Sequence, residues 1–217
     1  MGIYLNSDDT DFRSAVKYSR IYVDKTELIR YTNSVLFGEQ KYICVSRPRR
    51  FGKSMAANML TAYYSRGCDS RGLFQGLKIA MHPDFEKHLN QYNVIHLNMR
   101  DYLTESENMK QLIQFVEDDL LDELQQEFSD LRMPRRKTLV KVLEQVFVQY
   151  KIPFVFIIDE WDCIFRVHKS DAASQKEYLD FLRNLLKDKS YIALAYMTGI
   201  LPIKKYGEHS AINVFYE

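Results

Sequence analysis

Four short apolar runs, at 42–46, 94–98, 154–158 and 191–197, punctuate the chain, and stretches with helical spacing lie between them. Each run is of strand length, and most are rich in β-branched or aromatic residues. Their hydrophobicity is nearly continuous and does not alternate. A strand half in water alternates, whereas one covered on both faces does not, so the runs predict a parallel sheet sandwiched between helices. The intervening patterns supply the helices. Met109, Leu112, Ile113, Val116, Leu120, Leu121, Leu124 and Phe128 keep the 3.6-residue period, as do Leu139, Val142, Leu143, Val146, Phe147 and Tyr150. A third set, Tyr178, Phe181, Leu182, Leu185 and Leu186, follows Ser170 and Asp171, either of which suits an N-cap. Strands alternating with helices imply crossover connections and an α/β fold with helices on both faces. The turn-rich stretch 65–84 gives no clear element. With 217 residues, only 8 Gly and 5 Pro, and no repeats, the chain reads as one domain spanning 1–217.

The first apolar run leads into Arg47-Pro48-Arg49-Arg50-Phe51-Gly52-Lys53-Ser54-Met55, and a helical segment begins at once. A loop between a strand and a helix start suits phosphate, because the helix's first N–H groups have no partner within the helix and point at the ligand. Backbone from Arg49 to Met55 would line the phosphates. Gly52 would let the chain approach phosphate oxygens without a Cβ, Lys53 would offset β/γ-phosphate charge, and the Ser54 hydroxyl would join an Mg²⁺ shell. The pattern G-x-x-x-x-G-K-[ST] has Arg47 where its first glycine belongs, and a GKS tripeptide alone also fits a basic loop capping a helix.

About 100 residues on, the third run ends in Asp159-Glu160. This places two carboxylates at the C-terminal edge of a buried strand, where open α/β sheets bind ligands. Asp159 suits the Mg²⁺ shell, directly or through water, and Glu160 suits a general base for water. Alone, such a strand end is only a solvated terminus; paired with Lys53 and Ser54, it completes a magnesium–triphosphate site. The fourth run ends in Thr198-Gly199, read either as a turn or as a hydroxyl that orients water or senses the γ-phosphate.

With these strings assembled, the chain resembles the AAA-ATPase-like family of bacterial and archaeal proteins. The resemblance rests on 22–26 (YVDKT), 46–54 (SRPRRFGKS), 157–162 (IIDEWD) and 198–203 (TGILPI), in family order over nearly the whole chain. It implies a P-loop NTPase three-layer sandwich of the additional-strand type, ATP as nucleotide and Glu160 as the hydrolytic residue. It also makes Arg47 a family variant of the loop. Full-length members often continue into a PD-(D/E)XK nuclease-like domain. Residues 1–217 contain no D…(D/E)-x-K core and stop shortly after the Thr198 motif, so the nuclease-like domain is expected to be absent and the ATPase-like domain to be incomplete at its C-terminus, where its last strand would be lost. Its partner would be another protein or such a fused domain.

The remaining signals bound the alternatives. Asp24 and Glu27 have capping-box spacing; the family likeness instead suggests that this segment folds over the nucleotide base. Arg47, Arg49 and Arg50 could contact phosphate in cis, a neighbouring subunit's nucleotide, or DNA, while 134–137 (PRRK) reads as a solvated helix start. Trp161 is expected to pack beside the site. A formal net charge of +1 gives no general pull toward nucleic acid, and the histidines have no metal-ligand spacing. Three scattered cysteines, a polar N-terminus unlike a signal peptide, and no apolar run near the ~20 residues of a membrane helix suit the cytoplasm. ATP hydrolysis driving a partner is the leading expectation. A non-hydrolysing nucleotide-dependent interaction module and a part of a nucleic-acid-processing protein are its rivals; a small-molecule kinase is disfavoured, as Glu160 fits water activation.

Overall fold

The computed structural model describes residues 2–203 and 214–217. The four apolar runs become β1 (Tyr42–Ser46), β2 (Asn93–Asn98), β3 (Phe154–Asp159) and β4 (Ile192–Gly199). All pair in parallel, in the order β1-β4-β3-β2. The last strand in sequence is thus inserted between β1 and β3, the arrangement of an additional-strand P-loop sandwich. Register sets Ser46 beside Gly199 and Ile158 beside Met197, so β1, β4 and β3 end together on one edge.

Among the described residues ten α-helices flank the sheet. The first five are α1 (Thr10–Tyr18), α2 (Glu27–Val35), α3 (Lys53–Tyr64), α4 (Arg71–Phe74) and α5 (Phe85–His88). The others are α6 (Met99–Glu105), α7 (Met109–Glu127), α8 (Leu139–Tyr150), α9 (Cys163–Val167) and α10 (Ala172–Leu186). The first five bury Phe12, Ile29, Leu60, Phe74 and Phe85 in one core, and the last five bury Tyr102, Leu120, Val146, Phe165 and Leu182 in another. The sheet separates these cores. Along β3, Phe154, Phe156 and Ile158 enter the α6–α10 core while Val155 and Ile157 enter the α1–α5 core. The period of two is therefore present in space but silent in the sequence, because both faces are dry.

Local chemistry sets several boundaries. Asp171, and not Ser170, caps α10 by accepting the Ser174 N–H at 3.0 Å. Helix α8 stops at Tyr150, where Lys151 turns left-handed (φ 59°) ahead of Ile152-Pro153; a residue before proline is pushed out of helical geometry. The capping-box expectation at Asp24 is corrected. Its carboxylate accepts the N–H of Thr26 at 2.8 Å and that of Lys78 at 2.9 Å, a local Asx turn that also docks the 3-10 turn Lys78–Met81. The short oxygen-bearing side chain finds an amide two residues on before it can reach the helix's own orphans. The stretch 65–84, unassigned from sequence, thus contains α4 and this turn.

Both sheet edges are covered. Along β2, Asn6 donates to the Val94 carbonyl at 2.7 Å, His96 donates to the Tyr4 carbonyl at 2.9 Å, and Leu5 bridges Ile95 antiparallel. One carboxylate holds this N-terminal segment: Glu123 of α7 accepts the N–H groups of Ile3 (2.6 Å), Tyr4 (3.0 Å) and Leu5 (2.7 Å). Beyond β1, Tyr216 forms a parallel bridge with Ile43. Among the described residues no helix is long and apolar enough to cross a membrane.

Candidate functional site

The loop between β1 and α3 is tied to the end of β4. Arg47 N–H donates to the Gly199 carbonyl at 3.1 Å, and the Ser46 hydroxyl donates to the Leu201 carbonyl at 3.1 Å. The loop then turns through two left-handed residues, Arg50 (φ 69°) and Gly52 (φ 76°). A Cβ at Gly52 would lie 2.8 Å from Nζ of Lys25, which itself donates to the Phe51 carbonyl at 2.7 Å. Glycine suits this position by its left-handed backbone, and the flexible end of Lys25 fills the space that a Cβ would otherwise take. The Lys53 ammonium folds back over the loop, donating to the carbonyls of Arg47 (3.0 Å) and Pro48 (3.1 Å). Ser54 is exposed in the first turn of α3, and residues 47–51 are exposed as well.

One strand beyond β4, β3 delivers Asp159, which is only 4% exposed. Its Oδ1 accepts the Glu160 N–H at 2.9 Å and the hydroxyl of Thr198. The strand end is thus a buried, bonded carboxylate instead of a solvated terminus. Thr198 is fully buried and turned onto Asp159. Asp159 and Thr198 continue the alternation of Ile157 and Tyr196, whose side chains enter the core containing α3.

Glu160 departs from the strand with φ 54°, a conformation that costs a non-glycine residue roughly 1–2 kcal/mol. Its carboxylate forms an ion pair with Arg166 of α9. The same guanidinium donates from Nε to Oδ2 of Asp162 at 3.1 Å. Burial acts to lower the Arg166 pKa, but the Asp162 and Glu160 carboxylates outweigh it and raise it, so the side chain is firmly charged. Asp162 is fully buried and accepts the N–H groups of Ile200 (3.1 Å) and Leu201 (2.9 Å), fixing the chain that leaves β4. Trp161 is fully buried edge-on to Phe165, packing beside the site as expected.

Beside the loop lies a cavity of about 440 Å³ lined mainly by Ile21, Tyr22, Val23, Phe51, Met55 and Met59. Burial pushes the Tyr22 phenol up to about 12, so it stays neutral. Residues 134–137 lie in the loop before α8, with 135–137 exposed.

A family model described as Predicted AAA-ATPase matches residues 9–207. The chain belongs to this family. The matched span of the predicted AAA-ATPase takes in the loop at 47–54, the Asp159-Glu160 pair and Thr198. No curated protein matches the chain.

Two residues of this predicted AAA-ATPase escaped the sequence reading: Arg166 and Lys25 as a brace under Gly52. Arg166 does carry a signal, since it stands four residues after Asp162 and such spacing joins neighbours on a helix. Lys25 has none, because 26 residues separate it from Phe51. Among the described residues no group of three or more His, Cys, Asp and Glu side chains is arranged to hold a metal ion. Burial pushes the Cys44 and Cys163 thiols up to about 12, leaving neither suited to nucleophilic chemistry.

Proposed function

We propose that this domain binds ATP with Mg²⁺ at the β1–α3 loop and hydrolyses it slowly, as a switch or motor for a protein partner or a fused C-terminal domain. The observation that carries the reading is the loop itself: a left-handed Gly52 opening α3, with the Lys53 ammonium held over the loop by two carbonyls. Among the described residues this cation is held by backbone carbonyls alone, with no carboxylate to leave when phosphate arrives. Amides of residues 49–55 would cradle the phosphates, and Lys53 would exchange its carbonyl partners for β/γ-oxygens. The apolar cavity beside Phe51 and Met55 suits a purine ring, which makes the segment around Tyr22 the cover of the base.

The side chains fit Mg²⁺. Such an ion takes one or two protein oxygens and completes its shell with water and phosphate. Ser54, exposed at the start of α3, and Asp159, held by the Thr198 hydroxyl, are an oxygen pair of this kind. Bound there, the ion would neutralise charge on the triphosphate. Glu160 would accept the proton of the attacking water as its oxygen bonds to the γ-phosphorus and the bond to the β,γ-bridging oxygen breaks; ADP and phosphate leave. Thr198, through Asp159, would hold the geometry of that edge.

A titration of ATP with and without Mg²⁺, read beside phosphate release, tests the reading on the wild type and on two variants. Lys53→Ala should weaken binding. Glu160→Gln should bind normally and lose turnover by roughly 10²–10³-fold; unchanged turnover would remove Glu160 from the role of base. One observation favours a second reading, a nucleotide-dependent interaction module without hydrolysis: Glu160 is engaged by Arg166. That reading requires saturable ATP binding with no phosphate release.

A further inference from the structure

We propose that Arg166 is a positioning residue that withholds Glu160 from the attacking water, so that breaking their ion pair sets the rate of hydrolysis. The inference rests on the reading of Glu160 as the base. Two features lead to it. The guanidinium occupies Oε2 of Glu160, one of the two oxygens that a base can offer to a proton. Finally, Arg166 belongs to α9, whose Ile164 and Phe165 enter the α6–α10 core, while the phosphate loop opens α3 on the opposite face of the sheet. The contact therefore draws Glu160 toward the layer away from α3.

The latch is built and not incidental. Both partners are largely shielded, with Arg166 19% and Glu160 21% exposed, which places them beyond the strong screening that weakens surface pairs. Arg166 is itself fixed by the buried Asp162 at 3.1 Å. Asp162 in turn holds the amides of Ile200 and Leu201, and the Leu201 carbonyl accepts the Ser46 hydroxyl at the root of the phosphate loop. A change at that root thus has a continuous bonded route to the guanidinium. When Arg166 lets go of Glu160 it keeps Asp162 as a counter-charge, so the release strands only one carboxylate, and that one becomes free to act.

The test is steady-state phosphate release against ATP concentration for the full chain, as wild type, Arg166→Ala, Arg166→Lys, Glu160→Gln and the Arg166→Ala/Glu160→Gln pair. Arg166→Ala should raise kcat on the order of tenfold with KM nearly unchanged. Arg166→Lys, which can satisfy only one carboxylate well, should fall between wild type and alanine. The double variant should be as slow as Glu160→Gln; a merely structural role for Arg166 would not produce a kcat gain that needs Glu160. A kcat for Arg166→Ala equal to or below wild type, with Glu160→Gln inactive, overturns the latch and leaves Glu160 as the base. If neither wild type nor the Arg166 variants release phosphate, the latch falls together with the hydrolytic reading on which it rests. Turnover by Glu160→Gln at the wild-type rate overturns the base itself. Should alanine strip too much from the buried Asp162 for the chain to fold, Arg166→Lys decides alone: faster than wild type supports the latch, equal or slower refutes it.

Discussion

Gly199 closes β4 at a point where nothing larger fits, and Gly199→Ala gives a sharp measure of how the site is packed. A Cβ there would lie 2.6 Å from Nε1 of Trp161, 2.8 Å from Oδ1 of Asp162 and 2.9 Å from Cδ1 of Trp161. Neither neighbour can yield cheaply. Trp161 and Asp162 are both fully buried; the Trp161 backbone N–H is bonded to the Thr198 carbonyl at 3.1 Å, and Asp162 is held through Oδ2 by two amides. Forcing a methyl into such packing costs about 1–3 kcal/mol. Loosening the charge-assisted bonds to Ile200 and Leu201 adds about 1–2 kcal/mol. A total near 3 kcal/mol in a chain of 217 residues corresponds to a fall in Tm of roughly 6–12 °C. Because the Gly199 carbonyl also receives the Arg47 amide, ATP affinity should fall alongside. Gly72→Ala is the control. A Cβ at Gly72 meets no atom within 4 Å, so alanine in α4 should be neutral or stabilise by about 0.4–1 kcal/mol. Differential scanning calorimetry of the two variants decides. A Gly199→Ala melting point within about 1 °C of wild type would refute the packing argument.

Burial lowers the pKa of His96, whose Nδ1 lies 3.0 Å from the Thr61 hydroxyl, despite the opposing pull of Asp159 and Asp11. The unfolded chain then binds a proton more readily than the folded one, so stability declines as pH falls below the unfolded value of about 6.5. Melting points at pH 5 and pH 7.5 should differ by less in His96→Gln than in wild type; an equal difference would remove His96 as a source. Burial also lowers His88, so the dependence should shrink without vanishing. Asp24→Ala should cost about 1–2 kcal/mol through the lost bonds to Thr26 and Lys78, read by urea unfolding, and a cost below about 0.5 kcal/mol would return Asp24 to a dispensable surface position. Native labelling with a thiol reagent should leave Cys44 and Cys163 unmodified at pH 8 while the unfolded chain reacts at both, since their thiols lie at about 12 and are buried.

The strands were legible because dry strands leave a continuous apolar run, and 154–158 needed only the addition of Asp159. Long amphipathic helices were equally plain: the pattern from Leu139 to Tyr150 coincides with α8. Short helices such as α4 and α9 were not, because four or five residues carry too little of a period to declare it. The positions of Lys53 at a helix start and of Asp159-Glu160 at a strand end followed from local sequence. Their partners did not. Thr198 on Asp159 depends on which strands lie side by side, and the insertion of β4 between β1 and β3 is a property of the whole sheet, while Arg166 reaches Glu160 from a helix too short to declare its period. The capping-box expectation at Asp24 missed for the same reason, since half of what that carboxylate holds belongs to residue 78.

An open strand edge is a template on which a second molecule can assemble, and natural sheets guard against this. Here the guard on β2 is a few residues of extended chain hung from Glu123. Three amides converge on that single carboxylate, so the protection is concentrated at one side chain instead of being spread along an interface. Removing it would release Leu5 from its core and change the protein's colloidal character, turning a covered edge into one that recruits copies of itself.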